Sequence, residues 1–188
     1  MISSQFQTVG RDLFARGLVS SHIGNLSIRM GDRIIITRRD SMLNSLEEND
    51  LIETGIDKNS RSTPLASTDL VIHRAIYRET QALAIVHAHP PHAVALSMTD
   101  REIVPSVEDF SLIGTVPVMG WNVDLKEEGL ADVVAQALKQ HRIIMVHNHG
   151  SFAIGQLLEE AYNLTTALEH SSQVRCLMRS FQVSPTKK

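Results

Sequence analysis

The spacing of hydrophobic residues in the first third of the chain changes from that of a helix to that of strands. Four apolar side chains recur at helical intervals: Phe6, Val9, Leu13 and Phe14. An amphipathic helix is therefore predicted over residues 4–17, ending near Gly17. Two strand-like runs in "SSHIGNLSIRMGDRIIIT" flank Gly31-Asp32, which predicts a β-hairpin. A third strand is predicted at about residues 50–56.

The middle of the chain returns to helical spacing and then to a strand. One helical face collects the side chains of Leu70, Ile72, His73, Ile76 and Tyr77. Ser67 or Thr68 is placed to act as the N-cap of this helix. The segment "ALAIVHAH" then predicts a buried strand, and "PPHAVALSMT" predicts a short helix with proline in its first turn. Residues 103–119 have an extended pattern that the acidic segment "VEDF" interrupts.

The last third of the chain predicts a helix, two strands and a long final helix. The first helix covers residues 126–140, the strands lie in "RIIMVHNHG" and "SFAIG", and the final helix covers residues 156–181. The final helix has a predicted core stripe: Leu157, Ala161, Leu164 and Leu168. Helices and strands are interleaved, and at least one connection is a hairpin. We therefore expect a single layered α/β domain over residues 1–188, with a largely antiparallel central sheet covered by helices.

Composition and charge exclude several classes of protein. The 188 residues are 43% hydrophobic and 21% charged, and the net charge is -3. A chain of this length forms one well-filled core, and it lacks the basic surface of a nucleic-acid-binding protein. No apolar stretch approaches the length of a membrane span, and the N-terminus does not resemble a signal peptide. With Cys176 as its single cysteine, the protein is expected to be soluble and cytoplasmic.

Two His-x-His pairs mark the ends of hydrophobic strands. In a strand, side chains two positions apart point to the same face about 7 Å apart, so His87 and His89 can reach one metal ion. A second pair, His147 and His149, also follows an apolar run. With His92, five of the nine histidines fall in residues 85–97 and 146–150. A lone histidine in such a place is usually a hydrogen-bonded core residue. Two pairs at strand ends favour a shared site instead.

The histidines favour a catalytic rather than a structural metal site. Three neutral imidazoles with a carboxylate or water form a common catalytic zinc environment. A structural zinc site would more commonly use thiolates, which a single cysteine nearly excludes. Asp69 lies just inside the helix that follows Thr68, where a carboxylate stabilises the helix dipole. The same carboxylate could instead bind the metal or act as a base, and the sequence leaves both interpretations open.

Four motifs together resemble a known family. The segments "GNLSIR", "ASTDLVIHRAIY", "HAHP" and "NHG" occur in this order. Their combination resembles the class II aldolase/adducin family, the group that holds L-fuculose-1-phosphate aldolase and L-ribulose-5-phosphate 4-epimerase. The resemblance covers about residues 5–180. Each motif alone is weak, whereas the four in order are specific.

The resemblance implies a metal site and a phosphate site. It places a divalent metal, usually zinc, on three histidines: His87, His89 and His149. It assigns Asp69 to the catalytic carboxylate, and it assigns substrate phosphate to Gly24, Asn25, Ser67 and Thr68. Hydroxyls and free amide groups at a helix N-terminus form a natural anion site, which agrees with the last two positions. His147, His92 and His73 are then expected to be supporting residues.

The resemblance also implies a reaction and an assembly. Cleaving a carbon–carbon bond of a ketose phosphate, or removing a proton beside its carbonyl, creates an enediolate that zinc stabilises as a Lewis acid. A carboxylate moves the proton. Family enzymes are fourfold-symmetric tetramers with active sites between subunits, so a homotetramer is expected here.

Three positions depart from the aldolase pattern. Family aldolases have glutamate where Asp69 stands, whereas the epimerases have aspartate. The shorter side chain of Asp69 favours the role of a metal ligand over that of a base. The "TG" turn that contacts phosphate is replaced by Arg39-Asp40, and an aspartate there repels phosphate unless Arg38 or Arg39 offsets it. The tyrosine that fuculose-type aldolases send across the interface is absent. Asp109, beside Glu108, is the candidate catalytic residue near that position.

The sequence leaves three functions open. The first is a zinc-dependent aldolase that cleaves a small sugar phosphate such as L-fuculose 1-phosphate. The second is an epimerase, decarboxylase or dehydratase that uses the same metal chemistry on a sugar phosphate. The third is a non-catalytic, adducin-like binding module, against which the retained histidines argue.

Overall fold

A computed structural model describes residues 2–121 and 127–182, which contain six α-helices and eight strands. The helices are α1 Ile2–Ala15, α2 Leu70–Glu79, α3 Pro91–Ser97, α4 Val107–Ile113, α5 Glu127–Ala137 and α6 Leu158–Gln182. The strands are β1 Asn25–Met30, β2 Arg33–Thr37, β3 Leu51–Gly55, β4 Ala84–Ala88, β5 Glu102–Ile103, β6 Val116–Met119, β7 Ile143–Val146 and β8 Ser151–Gly155. The predicted helix at 126–140 begins at residue 126, which lies outside the described residues.

The strands form one mixed sheet in the order β3-β2-β1-β4-β8-β7-β6-β5. Strands β6 and β7 are parallel, whereas the other described neighbours are antiparallel. The expectation of a largely antiparallel sheet is therefore corrected to a mixed sheet. The physical reason is the helix α5 between β6 and β7, because a crossover through a helix lets two strands enter a sheet in the same direction.

Helices cover both faces of the sheet. One core joins α1, α3, α4 and α6 to one face, and the other joins α2 and α5 to the opposite face. All five residues of β4 are buried, because Val86 contributes to the first core and Ile85 to the second. Burial on both faces explains why this strand is a continuous apolar run instead of an alternating one. The histidines of β4 are thus held in the centre of the sheet.

The extended segment predicted at 103–119 is interrupted at "VEDF" as expected, but the interruption is a helix, α4, that continues to Ile113. Ser106 is the N-cap of α4, and its hydroxyl donates a hydrogen bond to the carboxylate of Asp109. A serine followed three positions later by a carboxylate is a helix-start signal that the alternating apolar pattern obscured. In α6, the predicted core residues Ala161, Leu164 and Leu168 are buried, whereas the fourth, Leu157, is 52% exposed and its neighbour Leu158 is buried in its place.

Candidate metal centre

Three histidines, from the end of β4 and from the turn between β7 and β8, meet at one end of the sheet. His87 lies in β4, His89 follows β4, and His149 lies in the turn between β7 and β8. Because β4 and β8 pair with Ala88 opposite Ser151, residues just beyond these positions share one edge. One ring nitrogen from each of the three histidines lies within 4.8 Å of the other two.

The environment of these histidines keeps them neutral. Burial, together with the neighbouring His149, lowers the pKa of His87 to about 3. Burial likewise lowers the pKa of His89 to about 3, with a contribution from His87, and it lowers the pKa of His149. Neutral imidazoles carry the lone pairs that a metal ion requires, so all three side chains are in the protonation state of ligands.

A backbone carbonyl orients the first histidine. Nδ1 of His87 donates to the carbonyl oxygen of Ser151 at 2.9 Å. Since a carbonyl oxygen only accepts hydrogen bonds, the proton of His87 resides on Nδ1, and the lone pair of Nε2 faces the cluster. This contact fixes the tautomer and the ring orientation, as the outer partners of metal-binding histidines do.

The spacing and surroundings of the histidine nitrogens fit a divalent metal ion. The Nε2 atoms of His87 and His89 lie 3.0 Å apart, close to the separation of about 3.3 Å between two nitrogens on one tetrahedral zinc ion. Nε2 of His149 is buried and has no hydrogen-bond partner among the described residues. A buried imidazole nitrogen without a partner is costly unless another group satisfies it. The three nitrogens therefore fit zinc or a similar divalent ion, and their role as ligands stays a prediction.

The carboxylate of Asp69 faces the histidines instead of capping α2. Asp69 occupies the N-cap position, yet its side chain makes no capping hydrogen bond. Oδ2 of Asp69 accepts a hydrogen bond from the amide nitrogen of Asn25 at 2.6 Å and lies 3.6 Å from Nε2 of His87. The prediction of Ser67 or Thr68 as the N-cap was wrong. Ser67 instead accepts a hydrogen bond from the backbone N–H of Asp69.

Tight turns bring the site residues together. Gly24 has φ +97°, and an added Cβ would lie 2.5 Å from Cγ1 of Val19. Asn148 adopts φ +51°, and its backbone N–H donates to the hydroxyl of Ser97. Only glycine tolerates the crowding at Gly24, and asparagine is among the residues that accept the left-handed conformation at Asn148. These two turns set the directions of Asn25 and His149.

A cavity of about 280 Å³ opens beside the histidines. The four predicted substrate-binding residues all line it: Gly24, Asn25, Ser67 and Thr68. Asp69 and the three histidines line it as well, together with Arg38, Arg39, Asp40 and Ser41. The structure thus brings the predicted metal and substrate residues to one cavity, while their individual roles remain predictions.

Asp109 is the predicted site residue that the structure does not place with the others. It lies on α4 against α6, where its Oδ2 accepts hydrogen bonds from Ser106, Ser171 and His170. Burial raises its pKa, but these hydrogen bonds together hold the pKa of Asp109 below its ordinary value. The residue does not line the cavity of its own chain.

The other histidines have separate surroundings. His147 packs against Trp121 with ring centroids 4.4 Å apart, and Nδ1 of His92 contacts Glu169 at 2.6 Å. His73 is fully buried behind the site, where its Nδ1 contacts the hydroxyl of Ser27 at 2.6 Å. The hydroxyl of Ser27 also contacts Tyr77. Sequence reasoning missed this polar network, because a serine in a strand and a histidine in a helix give no sign that they meet.

The known proteins that resemble this chain include members of one family. The family described as Class II Aldolase and Adducin N-terminal domain matches residues 4–176. An L-fuculose phosphate aldolase from Methanocaldococcus jannaschii is 29% identical over 180 residues, covering 94% of this chain and 97% of that protein. A 3-oxo-tetronate 4-phosphate decarboxylase from Cupriavidus necator is 25% identical, covering 91% of this chain and 82% of that protein.

A solved structure has the same fold over nearly the whole chain. The crystal structure of L-fuculose-1-phosphate aldolase from Thermus thermophilus is 36% identical to this chain, with a TM-score of 0.91. The similarity covers 99% of this chain and 98% of that one. Within the described residues, no helix combines the length and the apolar character that crossing a membrane requires.

Proposed function

Because this chain belongs to the class II aldolase and adducin family, we propose that it is a divalent-metal-dependent lyase that cleaves a carbon–carbon bond of a small sugar phosphate. L-Fuculose 1-phosphate is the first substrate to test, since two similar proteins are L-fuculose phosphate aldolases. The observation that carries the proposal is the cluster of His87, His89 and His149 with the Asp69 carboxylate 3.6 Å from His87. We also propose that residues 1–188 form one domain.

The three histidines would hold the ion, with zinc as the leading candidate. When bound, a divalent ion supplies a Lewis acid that draws electron density from the carbonyl oxygen of a substrate. Ser151 keeps the His87 imidazole in the tautomer with a free Nε2 lone pair. The neutral state of all three imidazoles follows mainly from their burial. A protein without bound or bindable zinc would revive the non-catalytic, adducin-like alternative.

We assign proton transfer to Asp69. In the cleavage direction, a base removes the proton from the hydroxyl of the carbon that becomes the aldehyde. The carbon–carbon bond breaks, its electron pair passes to the carbonyl-bearing fragment, and that fragment takes up a proton at carbon. Asp69 is the carboxylate that lines the cavity beside the histidines, and Asn25 holds its Oδ2. A carboxylate within hydrogen-bond reach of the reacting group meets the first requirement of a general base.

The polar lining of the cavity would bind the phosphate. Ser67, Thr68 and Ser41 supply hydroxyl groups to it, and Arg39 supplies a positive charge. Gly24 and Asn25 form the neighbouring wall. Hydroxyls and backbone N–H groups near the start of α2 favour an anionic group, because the N-terminal end of a helix carries partial positive charge.

Asp109 fits this proposal as a residue of a neighbouring subunit's site. We propose a homotetramer with active sites between subunits, in which Asp109 would serve as the second acid or base. The outer surfaces of α4 and α6 carry exposed apolar side chains: Phe110, Leu177, Met178 and Phe181. Large exposed apolar side chains that cluster on adjacent elements favour a protein–protein interface. Equilibrium sedimentation would test the tetramer.

A second candidate function is decarboxylation, epimerisation or dehydration of a sugar phosphate. The similarity to a 3-oxo-tetronate 4-phosphate decarboxylase supports it. The aspartate at position 69 also supports it, because the resemblance associates aspartate at this position with the epimerases. Its short side chain favours the role of a metal ligand over that of a mobile base.

The deciding experiment measures products from zinc-loaded protein, with chelator-treated protein as the control. We expect zinc-dependent release of dihydroxyacetone phosphate from at least one ketose 1-phosphate, detected by enzymatic reduction of the product. Carbon dioxide from a 3-oxo acid phosphate, or an isomeric sugar phosphate without fragments, would select the second candidate. A metal-loaded protein that is inert toward both substrate classes would contradict both.

A further inference from the structure

The turn after β2 places a carboxylate in the cavity where the substrate's terminal group would lie. Asp40 lines the cavity and adopts φ +61°, a backbone conformation that glycine, asparagine and aspartate accept more readily than other residues. The hydroxyl-bearing residues Ser41, Ser67 and Thr68 line the same cavity. A terminal group of the substrate therefore meets one carboxylate among several hydrogen-bonding groups.

Backbone contacts hold this turn against the segment that precedes α2. The N–H of Ser67 donates to the carbonyl of Thr37, and the N–H of Arg39 donates to the carbonyl of Leu65. Between these two contacts, Arg38 forms an antiparallel bridge with Ala66. The position of Asp40 beside Ser67 and Thr68 is consequently set by the fold.

Only one of the two neighbouring arginines is available to offset the carboxylate. Two nitrogens of the Arg38 guanidinium, Nε and Nη2, contact Oδ1 of Asp50 at 2.9 and 2.8 Å. Arg39 is exposed, and neither its guanidinium nor the Asp40 carboxylate forms an ion pair with another residue in the described part of the chain. Arg39 and Asp40 thus bring opposite charges to this turn, and they offset each other.

We infer that Asp40 is a selectivity residue that lowers the affinity of the cavity for a phosphate dianion and lets it accept the unphosphorylated form of the same hydroxy-carbonyl substrate. A phosphate ester carries a charge of about -1.5 to -2 at pH 7, so it is repelled by a carboxylate in the same cavity. A hydroxyl end can instead donate a hydrogen bond to that carboxylate. The inference rests on the proposed function only in that the substrate occupies this cavity.

Asp40→Asn removes the charge while keeping a residue that accepts the left-handed backbone conformation. Asp32→Asn is the matched control, because Asp32 is also exposed and lies before β2, at the opposite end of that strand from Asp40. Asp40→Gly is a second variant that tolerates the same φ. Thermal melting of each variant checks that the fold is retained.

The measurement is the dissociation constant of inorganic phosphate, determined by calorimetry at pH 8 and low ionic strength. We expect Asp40→Asn to bind phosphate roughly tenfold more tightly than the wild-type protein, as for removal of one charge at a distance of several ångströms. The gain is expected to shrink in high salt, and Asp32→Asn is expected to match the wild-type protein. Unchanged or weaker binding in Asp40→Asn, or an equal gain in Asp32→Asn, would overturn the inference.

Metal-free protein distinguishes phosphate bound beside Asp40 from phosphate bound to the metal ion. The phosphate titration is repeated on metal-free wild-type protein and metal-free Asp40→Asn. If Asp40→Asn binds phosphate more tightly only when the metal is present, phosphate binds to the ion and the inference about Asp40 is overturned. The ratio of kcat/KM for phosphorylated and unphosphorylated substrate is expected to rise in Asp40→Asn. Tighter phosphate binding without fragment release would refute the proposed function alone, whereas normal cleavage with unchanged phosphate binding would refute the inference alone.

Discussion

The side-chain nitrogen Nδ2 of Asn25 lies 2.6 Å from Oδ2 of Asp69, although the two residues are 44 positions apart in the chain. The same carboxylate oxygen lies 3.6 Å from Nε2 of His87. Asn25 therefore directs Asp69 toward the histidine cluster, away from the free N–H groups at the start of α2. Asn25, the candidate base Asp69 and the candidate metal ligand His87 are therefore neighbours in one cavity.

The substitution Asp69→Asn is expected to abolish turnover while changing the free energy of unfolding by less than about 0.5 kcal/mol. The side chain makes no capping hydrogen bond, and asparagine at an N-cap is about as favourable as aspartate. Its side-chain oxygen can also accept the hydrogen bond from Asn25. Steady-state kinetics and urea unfolding measure both effects, and normal turnover would place the chemistry on another residue.

The substitution Asn25→Ala is expected to lower kcat by about 10- to 100-fold, the usual effect of losing a partner of a metal-site residue. Without the Asn25 amide, Asp69 is free to rotate away from His87. Asn25→Asp is expected to be at least as harmful, because two carboxylates would then face each other. If Asn25→Ala retained full activity, the orientation of Asp69 would not depend on this hydrogen bond.

His149 and His147 form a matched pair for testing the metal site, since they lie two residues apart on the same turn. His149→Gln is expected to weaken zinc binding by at least about 100-fold, because one of three ligands is removed. His147→Gln is expected to leave zinc affinity nearly unchanged, since His147 packs against Trp121. Competition with a chromogenic chelator measures both affinities, and equal losses in the two variants would contradict the assignment.

Gly150 is expected to be essential for the geometry of the cluster. A Cβ at this position would collide with the carbonyl oxygen of Ala88 and lie 3.0 Å from Cδ2 of His89. Gly150→Ala is therefore expected to weaken zinc binding by displacing the histidines. Gly31→Ala is the control, because its added Cβ meets no atom within 4 Å and the strain of its positive φ costs only about 1–2 kcal/mol in stability. Zinc affinity preserved in Gly150→Ala would show that the turn adapts.

Stability is expected to fall as the pH decreases from 7 to 4 in chelator-treated protein. Burial lowers the pKa of His73 from 6.5 to about 3 in the folded protein, so below pH 6.5 the unfolded chain binds a proton that the folded chain does not. The free energy of unfolding then decreases by up to about 1.4 kcal/mol per pH unit for this residue. His73→Gln is expected to reduce the dependence of the free energy of unfolding on pH. Urea unfolding at several pH values measures this dependence in both proteins, and equal slopes in the two would contradict the assignment.

Several features followed from the sequence alone because they depend on local geometry. Side chains two apart in a strand share a face, so the pairing of His87 with His89 was predictable. Helical spacing and strand-forming runs located most elements, and the motif order indicated the family that residues 4–176 match. Gly24 could be recognised as part of a turn, since a glycine beside a strand commonly marks one.

Other features required the tertiary structure, because they depend on which segments meet. Sheet pairing brings the turn containing His149 beside β4, and no local pattern reveals that Asn25 reaches Asp69. The parallel pair β6 and β7 depends on the crossover through α5, not on the composition of either strand. The sequence determined which residues could perform the chemistry. The packing of β1, β4 and α2 decided their directions, because a side chain's contacts are set by neighbours that lie far away along the chain.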